Sequence, residues 1–410
     1  MKADIPSFNR KQAMLIVVAA LGYFVDIYDL ILFNIVKKPS LIALGVTNEA
    51  LEDTGILLFN MQMIGMLLGG LIWGIAGDRK GRVRVLFGSI IMYSLANIAN
   101  GFVQNVGQYA IIRLIAGIGL AGELGAGITL ISETMHREYR GYGTMIVVTF
   151  GALGAVLAAN VADKFDWQVA YFTGGGLGLA LLALRLGTFE SGMYTGMNNS
   201  SIKRGNFLSL FSNSKNAFRY IYCILIGLPI WFVVGVLVAL SETFADVLHV
   251  QGEVRVSQAV MYCYLGLSVG DVISGLMSQL LRSRKKVVLS YLIFAVLIIL
   301  LYLFSPVVNS SIFYFYCFLL GAATGYWALF VTIASEQFGT NIRSTVTNTV
   351  PNFVRGAVVP ITLSYKSLVP FLTPVYAALL VGSVCLLLAF TAIFRISETF
   401  GADLDYYETM

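Results

Sequence analysis

Gly74-Ile75-Ala76-Gly77-Asp78-Arg79-Lys80-Gly81-Arg82-Val83-Arg84 is a knot of glycines and charges between two apolar blocks, 54–77 and 85–103. Each block is close to the twenty or so residues that cross a hydrocarbon core as a helix. Working outward, further blocks of the same kind lie at 13–36, 108–133, 142–163, 168–187, 217–245, 257–281, 287–305, 311–335, 345–364 and 373–396. The 410 residues are 58% hydrophobic and 12% charged, against about half and a quarter in soluble domains. The blocks are too long for barrel strands and do not alternate, so they read as helices. The expected fold is an all-α membrane protein of twelve transmembrane helices. The first block is too long for a signal-peptide core, and Val36-Lys37-Lys38-Pro39 is no cleavage site, so it reads as a retained span.

Lys and Arg set the orientation. One set of loops, with both termini, carries 20 of them; the opposite loops carry Lys37, Lys38, Lys164, Arg255 and Lys366, while Arg113 and Arg355 lie inside spans. This bias places both termini in the cytoplasm. It also accounts for the net charge of +5 without a nucleic-acid partner. Cys223, Cys263, Cys317 and Cys385 all fall inside spans, and His136 and His249 have no local ligand partner, so neither a disulfide framework nor a metal site is expected. The polar stretch 188–216, with Asn198-Asn199-Ser200-Ser201 and Lys203-Arg204, reads as a cytoplasmic linker. It separates six-helix bundles at 1–187 and 217–396, and 397–410 forms a cytoplasmic tail. The bundles repeat each other: Gly65, Gly69 and Gly74 match Gly266, Gly270 and Gly275, Gly122 matches Gly325, and Ser132-Glu133 with Arg140 matches Ser335-Glu336 with Arg343. Six spans per unit give the halves one orientation, related by a pseudo-two-fold axis along the membrane normal.

The opening stretch resembles the G-x-x-x-D-R-x-G-R-R motif of the major facilitator superfamily, departing at Val83 with Arg84 beside it. Topology requires cations there but neither Asp78 nor the glycines. A carboxylate at a helix end can pair with arginines or cap a neighbouring helix, and such contacts break when bundles rock. The resemblance implies a cytoplasmic gate made of Gly74, Asp78, Arg79, Gly81 and Arg82. Glu133 with Arg137 and Arg140, and Glu336 with Arg343, are its expected partners. The second copy is degraded: Gln279 stands in the acidic place, followed by Arg282, Arg284, Lys285 and Lys286.

Several ionisable groups fall within spans, where each costs roughly 3 kcal/mol or more if ionised and unpartnered. Asp26 and Asp29 are spaced i, i+3 and share a helix face near mid-span. Span four holds Arg113 about one turn from the outer end and Glu123 deep inside. Arg113-Leu-Ile-Ala-Gly117-Ile-Gly119 resembles the family's R-x-x-x-G-x-G motif, whose arginine is tied to proton coupling. Asp26, Asp29, Glu123 and Arg113 are therefore the expected proton-coupling set. In the second half, Arg355, Asn352, Asn348, Tyr326, Trp327 and Trp231 are expected to bind substrate, with Tyr222 also in span seven. A buried guanidinium, amides and rings suit a small polar anion. Asp271 joins them as a carboxylate within a glycine stripe, where Gly70 stands in span two. For each single aromatic, core packing competes with substrate contact.

Gly22-Tyr23-Phe24-Val25-Asp26-Ile27-Tyr28-Asp29-Leu30 resembles phosphate:proton symporters. Gly122-Glu123 is more like metabolite:proton symporters, and Glu398-Thr399-Phe400-Gly401 resembles this broader group, which includes sugar-porter-like branches. The expected function is proton-coupled uptake of a small polar, anionic metabolite by rocker-switch alternating access. The chain is expected to act as a monomer in a bacterial inner membrane, without a cofactor. A proton-driven efflux antiporter and an uncoupled transporter-like receptor share the scaffold. A membrane enzyme is disfavoured, since no nucleophile–base pair, metal cluster or nucleotide loop is present.

Overall fold

The computed structural model describes residues 10–136, 140–184, 205–306 and 309–408. Among these, eleven helices are long and apolar enough to cross a membrane: Ala13–Ala43, Asn48–Lys80, Arg82–Asn100, Val106–Thr134, Arg140–Lys164, Trp167–Leu184, Ser214–Val238, Val256–Leu281, Arg284–Phe304, Ser310–Glu336 and Pro374–Arg395. The expected eleventh span is a pair of shorter helices, Arg343–Gly356 and Val358–Leu368, and it stands apart from these because its first piece is polar. Its first piece carries Asn348, Asn352 and Arg355 and is almost wholly buried, so protein rather than lipid solvates it. With this pair, the architecture is twelve spans in two six-helix bundles. The greater part of the expected linker, with Lys203 and Arg204, lies outside the described residues, as does Arg137; span seven already begins at Ser214.

Within each bundle spans two with four and eight with ten pack closely, and the glycines explain why. A Cβ on Gly65 would strike the Leu114 carbonyl and one on Gly117 the Gln62 carbonyl. In the other half, Gly266 faces the Phe318 carbonyl and Gly321 the Cys263 carbonyl. The two bundles thus reproduce one contact at matching positions. Ser132 and Ser335, equivalent in the repeat, meet at 3.3 Å, which puts the pseudo-two-fold axis between them.

Spans four and ten break at equivalent points. Span four stops at Leu120 and restarts at Glu123; span ten stops at Thr324 and restarts at Trp327. Broken helices put backbone termini at mid-depth, and their freed groups need partners. Trp73 Nε1 donates to the Ile118 carbonyl at 2.7 Å, and Asp271 Oδ1 accepts from Ala328 N–H at 2.9 Å. Span seven contains Pro229 and continues into a π-turn, Val233–Val238.

Candidate functional site: two seals and a central seam

The seam between bundles is formed chiefly by span two against span eleven and span five against span eight. At the end rich in Lys and Arg, Asp78 accepts from Ser344 N–H at 3.1 Å, Thr345 N–H at 2.8 Å and Thr345 Oγ1 at 2.7 Å. A carboxylate of the first bundle thereby caps the first turn of span eleven in the second. Gly74 allows this approach, because a Cβ there would press on Thr345. Gly81 takes φ +105°, a conformation open to glycine, and turns the chain directly from span two into span three. That turn places Arg82 over the carboxylates, 3.5 Å from Asp78 and 2.8 Å from Glu133. Arg343 reaches Glu133 across the seam at 3.3 Å. The expected gate residues are therefore brought together, with Arg79 exposed at the rim.

Glu336 pairs with Arg284 at 3.3 Å in its own bundle, the counterpart of Glu133 with Arg82. The degraded copy shows its consequence: Gln279, an amide in place of the carboxylate, lies against Gly141 at the start of span five. Residues 399–408 complete this end. The Ala402 carbonyl accepts from Arg140 at 3.4 Å, the Leu404 carbonyl from Arg343 at 2.6 Å, and Glu408 pairs with Arg219 at 2.8 Å. Both bundles hold the tail, which forms a strap where the sequence suggests a plain extension.

The opposite end is held more lightly. Lys366 pairs with Asp53 and Lys38 with Glu242 at 3.9 Å, all four side chains substantially exposed. Beneath them a cavity of about 300 Å³ opens between the bundles, lined by Asn34, Lys37, Glu52, Phe59, Thr362 and Tyr365 among others.

At mid-depth Arg355 crosses the seam. Its Nη2 lies 3.5 Å from Asp26 Oδ2 and 3.5 Å from Tyr23 OH, and its Nη1 donates to Asn352 Oδ1 at 3.3 Å. The guanidinium lies 5.9 Å from the Trp231 ring and 5.7 Å from the Trp327 ring, within cation–π range. Asn352 Nδ2 in turn donates to the Ala121 carbonyl at 2.9 Å, beside the break in span four. A cavity of about 20 Å³, room for a single water, lies among Tyr23, Trp231, Tyr264 and Trp327. Arg355 Nε, Trp327 Nε1 and Asp26 Oδ1 are buried here without a hydrogen-bond partner among the described residues, as is Asn348 Oδ1 two turns along span eleven, against Gly125.

A sequence profile described as Major Facilitator Superfamily matches residues 19–358. The chain belongs to the Major Facilitator Superfamily. As a facilitator it is a transporter of small metabolites, not an enzyme. It is 26% identical over 340 residues to a probable 4-methylmuconolactone transporter of Cupriavidus pinatubonensis, covering 79% of this chain and 76% of that one. It is 28% identical over 229 residues to a putative niacin/nicotinamide transporter of Bacillus subtilis, covering 54% and 55%. Its fold superposes on the proton:xylose symporter XylE, bound to 6-bromo-6-deoxy-D-glucose, with TM-score 0.76 at 15% identity, over 96% and 97% of the two chains.

The facilitator scaffold divides the expected proton-coupling set. Asp26 faces the seam, and Glu123 is buried at the first turn of the restarted helix. Asp29 instead packs against Gly174 of span six, inside the first bundle. Arg113 is also inside, hydrogen-bonded to Gln62 and 4.3 Å from the Phe33 ring. An i, i+3 pair is offset around a helix by about 60°, enough for two carboxylates to serve different compartments. Among the expected substrate residues, Arg355, Asn352, Asn348, Trp231 and Trp327 meet at the seam. Tyr326 donates to the Ile226 carbonyl at 3.0 Å within its own bundle, and Asp271 caps the restarted helix of span ten. Tyr222 stacks on Phe218, away from the seam. Sequence reasoning does not reach Tyr23 and Tyr264, which join the site here. Tyr23 stands three residues before Asp26 in the first-span pattern, but a tyrosine in a span carries no signal that separates a site ring from a packing one.

Proposed function

We propose that this facilitator imports a small unsaturated or aromatic ring carboxylate together with a proton, its Lys- and Arg-rich end facing the cytoplasm. The observation that carries the reading is the Arg355–Asp26 pair at the seam, walled by two tryptophans. While Asp26 is ionised it occupies the guanidinium. When Asp26 takes a proton, Arg355 is left without its counter-ion and binds a substrate carboxylate in its place. Proton and anion then favour the same occupied state, which is the condition for symport. Arg355 Nε and Trp327 Nε1 supply unused donors. Tyr23, Trp231, Tyr264 and Trp327 supply flat apolar faces for the ring. The relatives named for methylmuconolactone and niacin or nicotinamide handle small ring compounds of this size.

In this cycle Asp78, Arg82, Glu133 and Arg343 seal the cytoplasmic end while the outer cavity admits cargo. Residues 1–187 and 217–396 then rock about the axis near Ser132 and Ser335, and the seal opens. The path lies within one chain, so a monomer suffices. The test is uptake of benzoate and nicotinate into proteoliposomes with an acidic exterior. Accumulation of either that collapses when the pH gradient is dissipated is expected, with Asp26→Asn retaining exchange but losing the pH dependence. Uptake driven by an alkaline exterior would identify an antiporter instead.

A further inference from the structure

The cavity at the outer mouth carries a cation that topology does not explain. Lys37 stands at the outer end of span one, where a lysine works against the orientation set by the other loops. Lys38 beside it is matched by Glu242, and Lys366 by Asp53. Among the described residues no carboxylate comes within 4.0 Å of the Lys37 ammonium. Its Cδ lies 3.6 Å from where a Cβ on Gly55 of span two would stand, and the side chain lines the cavity of about 300 Å³ between the bundles.

Two further polar side chains line the same cavity. Asn34, one turn inward of Lys37, is 4% exposed, and Tyr365 of span eleven is 5% exposed. Neither the Asn34 amide nor the Tyr365 hydroxyl makes a hydrogen bond among the described residues. Buried polar groups are almost always paired, so two of them on one cavity wall beside an unmatched ammonium mark a place for a ligand. An ammonium, an amide N–H and a phenolic O–H are all donors, and together they suit a carboxylate. The buried Phe59 ring and Val369 add an apolar wall. The carboxylate that lines the cavity, Glu52, is exposed in the first turn of span two, one turn nearer solvent than Gly55, where water and the helix start hold its charge. Asn34 follows Asp26 by eight residues along span one, so this place lies about 12 Å outward of the seam pair.

We propose that Lys37, Asn34 and Tyr365 form a second, outer carboxylate site in the mouth between the bundles, which holds an incoming organic anion before it reaches Arg355. A lone ammonium in a partly enclosed mouth concentrates anions over neutral analogues of the same shape. Selection by charge therefore begins at the mouth, and the seam receives cargo already sorted. The outer site deepens the ring-carboxylate reading above and rests on it only for its second measurement.

The first measurement needs no substrate. Thr362→Cys places a thiol on the cavity wall, while Cys223, Cys263, Cys317 and Cys385 are buried. The full chain in nanodiscs is treated with sulfonatoethyl or trimethylammonioethyl methanethiosulfonate, anion and cation of similar size, and modification of residue 362 is followed by mass spectrometry. Adding Lys37→Gln should lower the anion-to-cation rate ratio at least tenfold, and Lys37→Arg should keep it within threefold. A ratio that Lys37→Gln leaves within threefold overturns the site. In the second measurement, the KM for nicotinate uptake into proteoliposomes should rise at least fivefold in Lys37→Gln and return to within twofold in Lys37→Arg. An unchanged KM in Lys37→Gln overturns the part of this site in loading cargo. If the unaltered protein takes up neither nicotinate nor benzoate, the ring-carboxylate reading fails, and the thiol ratio still decides whether the mouth holds an anion site.

Discussion

Replacing Asp78 by alanine removes three hydrogen bonds that cross the seam, from Ser344 N–H, Thr345 N–H and Thr345 Oγ1, and the 3.5 Å contact with Arg82. A helix cap contributes about 1 kcal/mol and a hydrogen bond to a charged group about 1.5–3 kcal/mol. The three bonds share one carboxylate and are not additive, and Glu133 still neutralises Arg82. A net loss of about 3 kcal/mol is therefore expected, all of it from the state sealed at this end. A seal populated about 99:1 would fall to roughly even. Spin labels at Lys80→Cys and Lys286→Cys, exposed positions on opposite bundles at this end, would report it by double electron–electron resonance. The unaltered protein should give one short distance; Asp78→Ala should add a longer component of comparable weight. A folded Asp78→Ala protein with an unchanged distance distribution would refute the view that this carboxylate holds the seal.

Arg355→Lys keeps the charge but loses the planar fork that reaches Asp26, Tyr23 and Asn352 together; uptake should fall roughly tenfold or more with folding intact, checked by initial rates and size-exclusion profile. Gly266→Val drives a branched side chain into the Phe318 carbonyl and should abolish recovery of monodisperse protein, whereas Gly176→Ala, with open space around it, should leave the melting temperature within a degree or two. Glu398 is half-buried, and burial works to raise its pKa; bonds from Ser283 Oγ and the N–H groups of Arg284, Phe400 and Lys285 outweigh that and hold it below the usual carboxylate value. A lowered folded-state pKa stabilises above the unfolded value and is lost as pH falls through the folded one. Glu398→Gln should accordingly lower the melting temperature at pH 7, with the deficit closing below about pH 4, read by differential scanning fluorimetry.

Most of the architecture was legible in the chain because lipid imposes one rule, that apolar blocks of fixed length be helical. The repeat was legible for a related reason: glycines that admit a neighbouring backbone cannot drift, so Gly65 and Gly266 keep their register. Span eleven shows the limit. Its division at Ala357 is consistent with Pro360, which has no N–H for the Gly356 carbonyl four residues earlier, but its burial against span two is encoded by no local pattern. The gate residues were readable from one motif, yet their partners were not. Ser344 and Thr345 matter through backbone N–H groups, which nearly every residue possesses. The same holds for Asp271: its burial was apparent, while the helix start it caps arises from a break in a different span. Asp26 and Asp29 read alike in sequence, and only the neighbours of each, Arg355 for one and Gly174 for the other, separate them.

The strap formed by residues 399–408 has a practical consequence. A segment fused shortly after Glu408 begins beside the residue that Arg219 grips. A purification handle or fluorescent fusion placed there would tug on the very joint whose opening is being measured. Kinetics recorded on such material could therefore differ from those of protein freed of its handle, and cleavage before assay is the sound design.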